Sequence, residues 1–198
     1  MIKFDFSKCK DEYFTPDEQL QVERSMRFFD VPLNSKARFS LLHNDLTFDK
    51  VMLDARENGK MKFLGFNEAM VAPIDYEVRF LYMSQYIPQY FAKETFDPVP
   101  NLNDYKEMFE WIKSYYPELN EIKCLEDRLV IYMIQFDMNN LRKGIDPSAK
   151  DRILENCQKI IDLVDKRNKE LEEMRYGTSL DKKDEEQKPD EGFFLNIN

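Results

Sequence analysis

"LLHNDLTFDKVMLD", residues 41–54, is the stretch from which the rest of the chain is read. It holds the chain's one histidine, His43, two residues ahead of Asp45, and it runs directly into an apolar segment. Upstream, "ARFSLLH" reads as a strand entering this loop. Downstream, "VMLDARENGKMKFLGF" reads as a hairpin, with strands over 51–53 and 61–64 and a turn at Glu57, Asn58 and Gly59.

Phosphoryl transfer asks three things of such a frame. A carboxylate must accept the proton of the attacking hydroxyl. A carboxamide a few residues later must hold a metal. A second carboxylate, after the next hairpin, must hold the same metal against the phosphates. The pattern is H-x-D-x-x-x-x-N, strand, turn, strand, then Asp-Phe or Asp-Trp.

The frame resembles the aminoglycoside phosphotransferase and choline kinase-like family, which shares the protein-kinase fold. "LLHNDLTFDKVML" is similar to the family's "lihgDlhpgNilv", "FLGFNEA" to its "iDfgdA", and "APIDYEV" to its "gpPxyDla". The three pieces occur in order over residues 38–82, with helical sequence behind them. The resemblance implies an α+β, mainly helical fold like the large C-terminal lobe of such a kinase. A small β-hairpin would lie beside the catalytic-loop remnant. It places His43 and Asp45 where the family has its loop histidine and its base. It also exposes two departures. Lys50 stands where the metal-binding asparagine belongs, and Gly65 stands where the metal-binding aspartate belongs. Glu68, three residues past Gly65, is the remaining candidate ligand. Glu77 replaces an aspartate that is usually structural. Only 42 residues precede His43, and they contain no glycine-rich loop and no strand lysine with a partner glutamate. The lobe that grips ATP is therefore expected to be missing.

The resemblance then implies a catalytically impaired, pseudokinase-type protein that binds a small molecule or a protein partner. No cofactor is expected under that reading. Acidic and aromatic side chains of the family's substrate region, such as Glu77, Tyr86, Glu110 and Trp111, would suit a cationic ligand. Lys50 has three readings, a direct contact to a phosphate, an ion pair with Asp45 or Asp49, or a plain exposed lysine. An alternative is an active phosphotransferase that uses Asp45 as base, with ATP and magnesium, and takes metal or nucleotide groups from another chain. A further alternative is a helical interaction module.

Composition narrows the classes. The hydrophobic share is 42% and the aromatic share 14%, enough for a folded core. Five glycines are too few for a glycine-rich nucleotide cradle or a turn-rich all-β fold. The net charge of −9 disfavours nucleic acid and anionic membrane as partners. The segment 181–191, with six acids and three lysines, contributes −3 of it, leaving −6 for the rest. Cys9, Cys124 and Cys157 are far apart and form no CxxC, as expected of reduced thiols in a cytoplasmic protein. The N-terminus has no long apolar run of the secretory kind, and no stretch approaches the length of a membrane span.

The helices announce themselves by caps and periodicity. "IKFDF" alternates like a short strand. "TPDEQLQVERSMRFF" opens with a Thr15 cap, Pro16 and two acids, with Leu20, Val22, Met26 and Phe29 as its inner face. A helix over 75–91 would bury Val78, Phe80, Met83, Ile87 and Tyr90, with a break at Pro88. "NDYKEMFEWIKSYY" repeats apolar residues at Tyr105, Met108, Phe109, Ile112 and Tyr116. Residues 129–134 are apolar all round, which predicts a central buried helix ending at Gly144. Asp146 and Pro147 open a long helix with Ile153, Cys157, Ile160, Ile161, Val164 and Leu171 as its stripe, ending near Gly177. The expected organisation is a kinase-like domain over 1–177 and an acidic tail over 178–198. The tail's "FFLNIN" end is read as folding back on the body, or as docking a partner.

Overall fold

Thr15 caps the second helix of the chain as its sequence predicts. Its hydroxyl accepts from the Glu18 N–H, and the Glu18 carboxylate accepts from the Thr15 N–H at 2.7 Å. This reciprocal pair satisfies two backbone donors that the first helical turn leaves open. In the computed structural model, which describes residues 2–34, 37–46, 50–54, 56, 59–87 and 102–176, the element so capped is α2. The order is α1 (Ile2–Tyr13), α2 (Pro16–Met26), α3 (Asp30–Leu33), β1 (Phe39–Leu42), β2 (Val51–Asp54), β3 (Lys60–Phe63) and β4 (Met70–Pro73), followed by α4 (Asp75–Ser84), α5 (Leu102–Tyr115), α6 (Leu125–Arg142) and α7 (Ala149–Tyr176). The fold is mainly helical, with a small β content.

The contacts divide the chain into two units, Met1–Ile161 and Asp162–Asn198. The first is built around α6. Leu129, Val130, Ile131, Tyr132, Met133 and Ile134 are all buried, as expected of a helix apolar on every side. α1, α3 and α4 pack on it, and α5 packs on α4. Phe6, Val22, Met83, Phe109 and Ile153 join the same core. The described part of the second unit, 162–176, continues α7. Lys166–Glu170 and Lys169–Glu173 are exposed pairs at helical spacing along it. The expected tail, with its "FFLNIN" end, lies outside the described residues.

Three expectations are corrected. "IKFDF" is not a strand but the start of α1. Its alternation covers five residues, too few to choose between periods. Asp5, Phe6 and Cys9 continue at helical spacing into the core. Leu20 is 61% exposed, although Val22, Met26 and Phe29 are buried. Leu171 is 49% exposed, so the buried stripe of α7 runs from Ile153 through Ile161. A strand also stands between the hairpin and α4, where none was expected. β4 intervenes and pairs antiparallel with β1, Leu41 facing Val71 and Leu42 facing Met70. The hairpin forms as read, with β2 and β3 antiparallel and Val51 opposite Phe63. Its residues 57–58 lie outside the described set, as do Pro88 and Tyr90.

The two strand pairs are thinly covered. Phe39, Leu41 and Val71 on one pair, and Met61 and Phe63 on the other, are each more than two-fifths exposed. Leu41 and Val71 are direct partners and share a face with Phe39, two residues along its strand.

Candidate functional site

Strand β1 ends at Leu42, and the next three residues form a turn held on every side. Asn44 has a left-handed backbone with φ +66°, a conformation that asparagine tolerates better than most residues. Its N–H donates to both Glu77 carboxylate oxygens at 3.2 Å. Its side-chain amide donates to the Glu68 carbonyl at 2.9 Å. Its own carbonyl and side-chain oxygen accept from Arg79 at 3.0 and 2.9 Å. One residue thus ties the loop to the segment after the hairpin and to the first turns of α4.

His43 is buried at 7% exposure and fixed at both ring nitrogens. Nε2 faces the Leu64 carbonyl at 2.6 Å, and Nδ1 faces the Asp45 N–H at 3.3 Å. A carbonyl only accepts and a backbone N–H only donates, so this pairing assigns the ring proton to Nε2. The ring packs against Phe66 at 4.6 Å between centroids. His43 therefore braces the loop against the end of the hairpin.

The hairpin brings the two departures together. The Lys50 carbonyl accepts from the Leu64 N–H at 2.9 Å, which sets Lys50 beside the residue after Leu64. That residue is Gly65, with φ +76°. The Lys50 side chain lies over it, so that a methyl group on Gly65 would meet Lys50 Cδ at 3.4 Å and Nζ at 3.8 Å. Lys50 Nζ also lies 3.7 Å from the Asp45 carboxylate. Asp45, Lys50 and Gly65 are separate in sequence and adjacent in space. An ammonium group sits among them, next to the one carboxylate of the three. Among the described residues no group of three or more His, Cys, Asp or Glu is positioned to hold a metal ion.

The remaining candidates are dispersed. Glu77 spends its carboxylate on Asn44. Glu68 contributes its carbonyl to the same residue, and its side chain is exposed. Tyr86 is half exposed, with its hydroxyl 3.4 Å from that of Tyr82. Glu110 pairs with Lys113 on the surface of α5, and Trp111 beside it is 57% exposed.

Two features of this region were missed from sequence. The first is Asn44, whose only signal is an αL-tolerant residue between a histidine and an aspartate. The second is Arg79, a charge inside the apolar run of α4. Arg79 is 7% exposed, and burial lowers its pKa. It also lines a cavity of about 460 Å³ between α1, α4 and α6. None of Glu77, Tyr86, Glu110 and Trp111 lines that cavity. No helix among the described residues is long and apolar enough to cross a membrane. Comparison of the chain with family models, with curated proteins and with solved structures gave no match.

Proposed function

We propose that the protein is a catalytically impaired relative of the aminoglycoside phosphotransferases, a pseudokinase-type protein that acts by binding a small molecule or a protein partner. The observation that carries this reading is the meeting of Asp45, Lys50 and Gly65. The phosphotransferase pattern requires its base, its carboxamide and its second carboxylate to converge, and the residues at those three positions do lie together. Two of the three lack the chemistry. Lysine brings a positive charge to the place of a dication, and glycine brings no oxygen. The bracing of the loop by His43 and Glu77 supports the same reading, because both roles persist without turnover.

The test is a thermal-shift and calorimetry titration with ATP and with GTP, each with and without magnesium. No magnesium-dependent stabilisation is expected. A magnesium-dependent shift overturns the reading in favour of a working phosphotransferase. In that case Asp45→Asn abolishes turnover and Glu68 is the next ligand to replace. A shift that magnesium does not improve assigns Lys50 as a direct phosphate contact.

A further inference from the structure

Four aromatic rings wall the cavity between α1, α4 and α6: Tyr76 and Phe80 from α4, Tyr132 and Phe136 from α6. Its volume is within the range of small-molecule sites. It is partly open to solvent, so a ligand has a way in.

The polar groups in it are unequal in charge. Asp5 from α1 is 4% exposed and already paired with Arg142 from α6 at 2.7 Å. Arg142 also donates to the Asn139 side chain at 2.9 Å. That pair is neutral. Arg79 has no carboxylate within 4 Å among the described residues, and the Glu77 and Asp45 charges reach it only at longer range. Its guanidinium carbon lies over both the Tyr76 and Phe80 rings, 3.7 and 4.0 Å from their centroids. Nη1 donates to the Tyr76 carbonyl and Nη2 to Asn44. Of five N–H groups, Nε–H and one on Nη1 have no acceptor among the described residues. The Gln135 side chain, also at the wall, has no hydrogen-bond partner among them either.

A buried cation with unused donors, next to an amide and several aromatic rings, recognises an anion attached to a flat apolar body. With Asp5 and Arg142 offsetting each other, Arg79 leaves the cavity lining one net positive charge, which matches a single negative charge on the ligand. We propose that this cavity is a binding site for a small monoanionic aromatic molecule of the aryl carboxylate class, with Arg79 as its anchor. The proposal goes beyond the reading of the loop and does not depend on it. The same guanidinium holds Asn44, between His43 and Asp45, so an occupant of the cavity touches a group that the loop also uses.

The probe is naphthoate, compared with the neutral naphthamide and the cationic naphthylmethylamine, by calorimetry and ligand-observed NMR on the full chain. Naphthoate is expected to bind about tenfold or more tightly than naphthamide, and the amine not at all. Gln135→Trp fills the cavity from a half-buried wall position and leaves Arg79 in place. It is expected to weaken naphthoate by about tenfold or more. Arg79→Gln is expected to do the same while the protein still melts cooperatively. If Arg79→Gln does not fold, Gln135→Trp and the charge comparison decide alone. The proposal is overturned if naphthoate does not bind, if the amide binds equally well, or if Gln135→Trp leaves the affinity unchanged.

Discussion

Arg128 is 1% exposed and Asp75 is fully buried, and the two face each other across the core. The guanidinium donates to both Asp75 oxygens at 2.6 and 3.0 Å and to the Pro32 and Leu33 carbonyls at 3.0 Å. The Tyr132 hydroxyl closes the network on Asp75 at 3.0 Å. Every buried charge here has its partner, so the damage comes from removing one side only. Asp75→Ala is expected to cost about 3–5 kcal/mol in urea unfolding, because it strands the guanidinium in the core. A loss below about 1 kcal/mol would mean that water reaches Arg128. At the loop, the adjacency of Lys50 and Gly65 makes a gain of function testable. The double change Lys50→Asn with Gly65→Asp removes the ammonium and supplies two oxygen ligands beside Asp45. Aspartate tolerates the left-handed backbone at 65 better than most residues, and the shorter residue at 50 makes room for it. Manganese binding followed by electron paramagnetic resonance is expected to strengthen about tenfold or more over the parent chain. An unchanged affinity would mean that the two departures are not what keeps a metal away.

Elements were legible where one segment carried its own signal. The α2 cap was readable from Thr15, Pro16 and Glu18 because all its partners lie within one turn. Thr15→Ala is expected to cost about 1 kcal/mol, measured by the shift in denaturation midpoint, since it leaves N-terminal donors unsatisfied. The centre of α6 was readable from an unbroken apolar run, and its end from Gly144, which has φ +67°. The two misread elements share one cause. "IKFDF" needed the burial of Asp5 and Cys9 to reveal its helical period, and that burial comes from α6, far along the chain. β4 has no strand signature of its own, because its pairing with β1 joins residues about thirty positions apart. The candidate site divides in the same way. His43 and Asp45 were visible as a motif. The contacts of Asn44 with Glu77 and Arg79 span 33 and 35 residues, and only folding reveals them.

At the scale of the molecule, burial sets an alkaline limit. Burial pushes the Cys157 thiol up from its ordinary 9 to about 11, and Cys9 likewise to about 11. Tyr82 and Tyr132 are also raised, chiefly by burial. Each is an acid held neutral by the fold. Between pH 9 and 11 the unfolded chain has released these thiol protons while the folded chain keeps them, so stability falls as pH rises through that window. Cys157 alone accounts for on the order of 2 kcal/mol of that fall. Urea midpoints across the window are expected to drop, and less steeply in Cys157→Ala. An equal slope in that variant would exclude the thiol as the cause.

The thin cover over the strands has a consequence of another kind. Phe39, Leu41 and Val71 leave an oily face on a strand pair that has only two strands among the described residues, on a chain of net charge −9. Repulsion between like-charged molecules keeps such faces apart at low ionic strength. Added salt first shortens the range of that repulsion. Sulfate then favours any contact that hides apolar area, because it is excluded from protein surfaces. Association through this face is therefore expected to grow as sulfate is added, and to grow less with chloride at equal ionic strength, as read by light scattering.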